Sequence, residues 1–302
     1  MALPRITLIT PVLNRAELIA DALNSVALQG YPAVEHIVVD GGSTDGTIDI
    51  LKAAPHIQWM SEPDRSRYEA INKGIRRATG DIIGHLNSDD ILLPGALAAV
   101  AEGFARDRAA EAACGGAETV RLSAGGRTRG VRHYRSERLK RLDWHDCTLG
   151  IPITNARFFR RSWYRRAGLY DLHYKLAADR DFLIRSMILG MRTVTLERPL
   201  YQYRLSTGSL SLCAGSRQTR RFQDECRALA RSYMLRADSP EPLRRMACRW
   251  FAVTTVQRLG YLAGKKSWRE FRHIFMDARD FLPAWPLWCV REGLFRATGG
   301  WV

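Results

Sequence analysis

Acidic and small polar side chains follow two apolar segments of the sequence at the points where those segments end. Asp40 follows residues 37–39, and the sequence NSDD at residues 87–90 follows residues 82–86. Neighbouring carboxylates repel each other unless a cation or water lies between them, and oxygen ligands suit Mg²⁺ or Mn²⁺. The pair Asp89 and Asp90 therefore indicates either a divalent metal site with room for diphosphate oxygens or a solvated loop whose acids cap the next helix.

The sequence DGGSTDG begins at Asp40 and lies between a predicted strand and a predicted helix. Glycines allow close approach of the backbone, and the N-terminus of a helix favours anions. The spacing matches neither the dinucleotide-binding pattern GxGxxG nor a Walker loop. Asp40 could accept hydrogen bonds from a base or a ribose, and an ordinary glycine-rich turn explains the same residues.

A third acidic group precedes an amphipathic segment later in the chain. Asp179 and Asp181 are two residues apart and should not share a helix face. One of them can face a cleft, where a carboxylate near a reacting hydroxyl could act as a general base. The other can cap the helix or pair with Arg185. His85 lies within an apolar strand and is expected in the core.

The elements that position these groups alternate between strand and helix. Apolar, β-branched runs predict strands at 6–10, 37–39, 57–60 and 82–86, and helical periodicity predicts helices at 15–29, 68–78 and after Pro94. Such alternation predicts an α/β fold with a mostly parallel sheet and flanking helices, whose ligands gather beyond the carboxyl ends of the strands. Shorter elements follow: strands at 153–159 and 193–196 with a helix at 182–189 between them.

Composition and charge divide the 302-residue chain into unlike parts. Residues 1–100 carry 8 basic and 12 acidic side chains, which leaves 38 basic and 19 acidic side chains for the remainder. Residues 217–236, 243–262 and 268–281 are predicted to be basic amphipathic helices. Scattered cysteines without a CxxC pair suit a reducing cytosol, and the sequence shows neither a signal peptide nor a spanning segment. A cytoplasmic location is therefore expected.

Five segments together resemble family 2 glycosyltransferases of the GT-A fold, which is Rossmann-like, and especially the bacterial surface-polysaccharide branch. They are TPVLN (10–14), VVDGGSTDGT (38–47), SEPD (61–64), YEAINKGIRRATGDIIGHLNSDD (68–90) and LAADRDFLIR (176–185). They occur in the family's order across about two-thirds of the chain. The resemblance implies a GT-A catalytic domain at 1–213, with a nucleotide-binding half at 1–100 and an acceptor-side half at 101–213. A basic, tryptophan-containing helical extension follows at 214–302.

The resemblance also implies an inverting transfer of a sugar from a nucleotide-sugar donor, with a UDP-sugar expected, to a hydroxyl of a glycan or lipid-linked acceptor. Asp179 falls where the family places its base, and Asp90 would bind the metal, Mg²⁺ or Mn²⁺. The residues expected to line the nucleotide-sugar site are Thr10, Pro11, Asn14, Asp40, Ser43, Asp45, Asp64, Lys73, Asn87 and Asp89. Three residues, Arg65–Ser66–Arg67, replace a smaller spacer of the family, and Glu69 replaces a more usual aspartate, so donor identity does not carry over.

Other functions compete with this one. Sugar transfer to a polyprenyl phosphate on the same fold would require membrane helices or a lipid partner. A processive polymer synthase is suggested only by the sequence QTRRF at 218–222, which partly matches the QxxRW motif of such enzymes. A basic nucleic-acid-binding protein fits the isoelectric point, but the basic excess begins after the motif-bearing part and no RNA- or DNA-binding signature is present. No nucleic acid partner is therefore expected.

The basic extension has two alternative interpretations. Its helices and Trp285, Trp288 and Trp301 could lie peripherally on an anionic membrane surface at the inner face of the cell membrane, where lipid-linked acceptors lie. Alternatively, they pack within the protein or form a homodimer contact.

Overall fold

The computed structural model describes residues 3–122, 128–134, 137–205 and 217–283. Within these residues the chain forms two compact units, one of residues 1–143 and 152–208 and the other of residues 144–151 and 209–302. The predicted boundary at residue 213, like Trp285, Trp288 and Trp301, lies outside the described residues. The domain limits therefore remain a prediction.

In the described residues, the first unit contains one sheet of nine strands. Their order is β3-β2-β1-β4-β8-β6-β9-β5, and β7 pairs with β6. The strands are β1 (Ile6–Val12), β2 (Val34–Asp40), β3 (Gln58–Ser61), β4 (Ile82–His85), β5 (Ile91–Leu92), β6 (Ala112–Leu122), β7 (Thr128–Tyr134), β8 (Arg157–Arg160) and β9 (Thr193–Leu205).

The first four of these strands, β1 to β4, pair in parallel, as the alternation of strands and helices predicts. Strands β1, β2 and β4 are buried along their length, apart from partly exposed Val34, which explains their unbroken apolar sequences. Beyond β4 the pairing changes, because β8 runs antiparallel to both β4 and β6. The α/β sheet with flanking helices is thus confirmed, and its parallel half carries the predicted nucleotide-binding motifs.

Eight helices belong to this unit in the described part of the chain. They are α1 (Ile19–Ala27), α2 (Thr47–Lys52), α3 (Arg67–Arg77), α4 (Ala96–Arg106), α5 (Glu137–Arg141), α7 (Arg161–Ala167), α8 (Ala178–Ile188) and a 3₁₀ turn at Thr154–Ala156. The turn replaces the first part of the strand expected at 153–159, so that prediction was wrong for residues 153–156. The strand expected at 193–196 is longer and extends to Leu205.

The second unit is helical where the structure describes it. Its helices are α6 (Trp144–Thr148), α9 (Arg217–Leu235), α10 (Glu241–Gly264) and α11 (Trp268–Phe281). Helix α10 packs against α6, α9 and α11. Helix α10 buries Leu243, Trp250, Phe251 and Leu262, which supply the apolar contacts of this unit. No helix in the described ranges combines the length and apolar character needed to cross a bilayer.

Candidate functional site

The loop after β1 and the loop after β2 are held together by side-chain hydrogen bonds. The backbone N–H of Asn14 donates to Ser43 Oγ at 2.8 Å, and Thr44 N–H donates to Asn14 Oδ1 at 2.9 Å. One turn further on, Ala16 N–H donates to Asp45 Oδ2 at 3.0 Å. Three residues predicted to lie at the nucleotide site, Asn14, Ser43 and Asp45, therefore form one structural unit at the carboxyl edge of the parallel strands.

Asp40 organises the turn that follows β2. Its Oδ2 accepts the N–H groups of Gly42 and Ser43 at 2.9 Å each and the hydroxyl of Ser61 at 2.6 Å, and its Oδ1 accepts the Ser43 hydroxyl. Burial acts to raise the pKa of Asp40, but these hydrogen bonds outweigh it and the pKa is lowered. Four bonds use the acceptor capacity of a carboxylate. Gly42 adopts φ = 91°, a conformation that favours glycine.

Asp64 and Lys73 form an ion pair beside this turn. Lys73 Nζ lies 2.7 Å from Asp64 Oδ1 and 2.9 Å from Glu62 Oε1. The Asp64 side chain is 6% exposed, and no donor among the described residues reaches its Oδ2. Burial raises the pKa of Asp64 despite the ion pair with Lys73. The free oxygen is suited to a hydroxyl or N–H of a ligand.

The start of helix α3 contains both departures from the family pattern, the segment 65–67 and Glu69, and the two are linked by contacts. Ser66 caps α3, since its Oγ accepts the N–H of Glu69 at 3.3 Å. Arg65 lies 3.0 Å from Glu69 in an i,i+4 ion pair that lowers the pKa of Glu69 to about 2. The serine, the arginine and the glutamate thus support one another at the start of α3.

Asp90 lies in the interior of the loop that follows β4. It is 3% exposed, and its carboxylate accepts hydrogen bonds from Asn87 Nδ2 (2.9 Å), Tyr201 Oη (2.7 Å) and the N–H of Arg204 (2.9 Å). Burial, followed by the charge of Asp89, raises the pKa of Asp90 to about 7, while the three hydrogen bonds oppose the shift.

Asp89 differs from Asp90 in its surroundings. Its side chain is partly exposed, and within the described residues no hydrogen bond or ion pair engages its carboxylate. Its backbone carbonyl accepts Arg204 Nε at 2.7 Å, and Arg204 Nη1 lies 2.7 Å from Asp21 Oδ2. Carboxylate oxygens of this kind are the ligands that Mg²⁺ and Mn²⁺ prefer. The residues present therefore fit a divalent metal, and Asp89 is more accessible to it than Asp90.

Asp179 and Asp181 have separate environments at the start of α8. Asp179 Oδ1 accepts the N–H of Arg180 at 2.9 Å, and its Oδ2 lies 3.4 Å from Thr154 Oγ1. Asp181 instead pairs with Arg185 at 2.8 Å. Asp181 is therefore the acid that pairs with Arg185, as expected of one of the two, and the role of Asp179 facing a cleft stays a prediction.

Strand β9 and the turn at 154–156 connect the two acidic centres. Tyr201 Oη, which donates to Asp90, accepts Asn155 Nδ2 at 3.2 Å, and Asn155 N–H donates to Tyr203 Oη at 3.2 Å. Asn155 is the neighbour of Thr154, which contacts Asp179. Tyr201, Asn155 and Arg204 belong to none of the sequence motifs and were not predicted as site residues. The only signal for Tyr201 and Arg204 was the aromatic–polar alternation of YQYR at 201–204, which is common in strands, and Asn155 had none.

Several of the predicted site residues are buried, among them Thr10 and Pro11, and their place at the nucleotide site stays a prediction. Thr10 has no exposed surface, and its hydroxyl lies 2.9 Å from His36 Nε2; Pro11 is also buried. Both residues are buried because β1 is covered on both faces of the sheet from Ile6 to Val12. His85 is buried against Tyr164 and Tyr170, as expected.

Comparison with known proteins identifies the family. The model of "Glycosyl transferase family 2" matches residues 7–168, which is more than half of the chain. A PGL/p-HBAD biosynthesis glycosyltransferase from Mycobacterium bovis is 32% identical over 191 residues, covering 61% of this chain and 70% of the relative.

Solved structures share the fold at low sequence identity. Residues 1–349 of S. aureus TarS in complex with UDP-GlcNAc superpose with a TM-score of 0.63 and 18% identity, over 82% of this chain and 70% of that one. The match spans only 43% of the longer TarS chain. The mannosyltransferase PcManGT from Pyrobaculum calidifontis, solved with GDP-Man and Mn²⁺, superposes with a TM-score of 0.59 and 19% sequence identity. The match covers 98% of this chain and 82% of that one.

Proposed function

The chain belongs to glycosyl transferase family 2, and we propose that it transfers a sugar from a UDP-sugar to a hydroxyl group of a glycan or lipid-linked acceptor, with inversion at the anomeric carbon. The observation that carries the proposal is the accessible carboxylate of Asp89 beside Asp90, whose hydrogen bonds through Tyr201 and Asn155 lead to the turn where Thr154 contacts Asp179. A similar fold bound to UDP-GlcNAc in TarS and a biosynthetic relative in M. bovis support this substrate class.

The donor is proposed to lie along the carboxyl edge of β1 to β4. The loops of Asn14 and Ser43, which hydrogen bonds hold together, would contact the nucleotide-sugar from below. The free oxygen of Asp64 would accept a hydrogen bond from a hydroxyl or N–H of the nucleoside. Asp40 acts indirectly, because its own oxygens already hold the turn. Lys73 keeps Asp64 in place through their ion pair.

We assign the divalent metal to Asp89, with Asp90 as the buried residue that shapes its loop. This exchanges the roles expected from the sequence, because Asp90 is enclosed and already accepts three hydrogen bonds whereas Asp89 is open. Mn²⁺ or Mg²⁺, when bound, offsets the negative charge that develops on the leaving diphosphate. The Mn²⁺ of PcManGT supports the choice of ion.

Asp179 is proposed as the general base. It removes the proton of the acceptor hydroxyl as that oxygen forms its bond to the anomeric carbon, and the bond from that carbon to the nucleoside diphosphate breaks in the same step. The contacts with Thr154 Oγ1 and Arg180 N–H hold the carboxylate in one orientation. A single displacement of this kind inverts the anomeric configuration.

The test is release of nucleoside diphosphate from a panel of UDP-, GDP- and TDP-sugars with Mn²⁺, followed by NMR of the product. We expect one UDP-sugar to be preferred, activity to be lost with EDTA, and the product anomer to be opposite to that of the donor. A product that retains the donor's configuration would exclude the single displacement. Full activity in EDTA would remove the metal from the proposal.

A further inference from the structure

Helix α3 is bonded to the chain segment that leads into α8, residues 170–176. The hydroxyl of Tyr68 donates to the carbonyl of Leu176 at 3.2 Å. One turn later, Asn72 Nδ2 donates to the carbonyl of Tyr170 at 2.8 Å, and Asn72 Oδ1 accepts the Tyr170 N–H at 3.0 Å. Tyr68 and Asn72 are four residues apart and both are 2% exposed, so they lie on one buried face of α3. Hydrogen bonds from this face therefore hold the segment before α8.

Two neighbours fix the position of the Tyr68 side chain. Arg67 Nη2 donates to the Tyr68 hydroxyl at 2.6 Å, and the guanidinium carbon of Arg67 lies 4.7 Å from the centre of the Tyr68 ring. The ring of Tyr170 stacks on that of Tyr68, with the two centroids 5.2 Å apart. A stacked phenol whose hydroxyl both accepts and donates a hydrogen bond has little freedom to turn.

The Tyr68 hydroxyl is close to the proposed base. Leu176, which it contacts, lies two residues before the first residue of α8, and Asp179 is the second residue of that helix. Burial raises the pKa of Tyr68, the charge of Arg67 opposes the shift, and the charge of Asp179 adds to it. The hydroxyl thus supports the backbone just before α8 and lies within the electrostatic reach of Asp179.

We propose that Tyr68 is a positioning residue for the base: its hydroxyl, oriented by Arg67, holds the start of α8 so that Asp179 faces the acceptor hydroxyl. The inference rests on the proposed function, in which Asp179 removes the acceptor's proton. Lys73 lies on the same helix as Tyr68 and pairs with Asp64 at 2.7 Å. Helix α3 therefore fixes the proposed nucleoside site and the proposed base relative to each other. A displacement of a reacting group by about 1 Å can lower a rate on the order of 100-fold.

The test compares kcat with donor binding in Tyr68→Phe, which keeps the stacked ring and removes the hydroxyl. We expect kcat for sugar transfer to fall about 10- to 100-fold, while the KM for the UDP-sugar changes less than about twofold. Tyr164→Phe is the matched control. It removes another buried hydroxyl, 3.4 Å from His85 Nε2, and should keep kcat within about twofold of the wild type.

Substitutions of Arg67 provide a second comparison, which remains informative if Tyr68→Phe does not fold. Arg67→Met removes the donor to the Tyr68 hydroxyl and should lower kcat. Arg67→Lys keeps a donor at this position and should restore part of the lost turnover. Equal, undiminished kcat in both Arg67 variants would overturn the proposal.

Asp179→Asn, measured beside these variants, separates the inference from the function on which it rests. If Asp179→Asn keeps its turnover, the base is wrongly assigned and the inference falls with it. If Asp179→Asn loses turnover while Tyr68→Phe keeps it, the proposed function stands and only the positioning role is overturned. An equal fall of kcat in Tyr68→Phe and Tyr164→Phe, with circular dichroism showing both folded, would also overturn it, because the loss would then follow from any buried hydroxyl.

Discussion

The hydroxyl of Tyr201 lies 2.7 Å from Asp90 Oδ2 and donates its hydrogen to that carboxylate. The same oxygen accepts the N–H of Asn87 at 3.0 Å and Asn155 Nδ2 at 3.2 Å. One side chain from β9 therefore satisfies both ends of the NSDD loop and joins them to the turn beside Asp179. The shape of the proposed metal loop depends on a residue more than 110 positions away in the sequence.

Replacing Tyr201 with phenylalanine should therefore disturb this loop. Asn87 N–H and Asp90 each lose a buried partner, so we expect Tyr201→Phe to lower the free energy of unfolding by about 1–3 kcal/mol. Urea denaturation measures this change. Tyr203→Phe is the matched control, because Tyr203 Oη accepts a single hydrogen bond, from Asn155 N–H, in the described network. An equal decrease in the free energy of unfolding of the two variants would contradict the central role of Tyr201.

Asp89→Asn and Asp90→Asn should separate metal binding from stability. Asp89→Asn should weaken Mn²⁺ binding at least about tenfold and change the free energy of unfolding by less than about 0.5 kcal/mol, because no group in the described part of the chain bonds to its carboxylate. Asp90→Asn should lower that free energy by about 1–3 kcal/mol, because an amide cannot accept from all three donors.

Mn²⁺ binding can be followed by electron paramagnetic resonance in the presence of UDP. If Asp90→Asn lost the metal at unchanged stability while Asp89→Asn kept it, the metal would belong to Asp90, as the sequence suggested.

Arg204 should act as a positioning residue for the metal loop. Its Nε donates to the Asp89 carbonyl at 2.7 Å and its Nη1 pairs with Asp21. Arg204→Lys cannot make both contacts, so Mn²⁺ affinity should fall about tenfold. Asp21 is 57% exposed, and Asp21→Asn should cost less than about 1 kcal/mol of stability. Unchanged Mn²⁺ affinity in Arg204→Lys would show that Asp89 is held by other contacts.

The stability contribution of Asp40 should depend on pH. Its pKa is lowered in the folded state, so its carboxylate stabilises the fold above the unfolded-state pKa of about 3.9, and the contribution is lost as the pH falls through the folded-state pKa. Asp40→Asn should therefore be least stable relative to the wild type at neutral pH. Thermal unfolding of both proteins between neutral pH and about pH 3 measures the difference. A constant difference across this range would mean that the Asp40 pKa is not lowered.

Asp179→Asn should nearly abolish sugar transfer while the protein remains folded, because an amide cannot accept the acceptor's proton. Asp181→Asn is the paired control two residues away. It weakens the 2.8 Å contact with Arg185, so it should lower the melting temperature and leave most of the turnover. Turnover and melting temperature are measured on the same preparations. Near wild-type turnover in Asp179→Asn would remove this residue from the role of base.

Local sequence patterns predicted much of the fold. The apolar runs of β1, β2 and β4 and the polar residues that follow them were predictable, because a strand buried on both faces must be apolar and must end where polar side chains begin. The strand at 153–159 was mispredicted over residues 153–156 because a short apolar segment gives no periodicity that separates strand from 3₁₀ turn. The length of β9 was missed because Glu197 and Arg198 interrupt its apolar pattern.

The sequence by itself determined which acidic residues are candidates for the chemistry, since carboxylate type, spacing and position after strands are local properties. Only the tertiary structure decided which of them is accessible to a ligand and which is buried in support of its loop. Asp89 and Asp90 are adjacent and chemically identical, and they differ because Tyr201 and Arg204 of β9 enclose one of them and leave the other open. Likewise, Thr10 belongs to a motif but lies against His36 in the core. Burial and long-range hydrogen bonds depend on which strands become neighbours, and no local pattern records that.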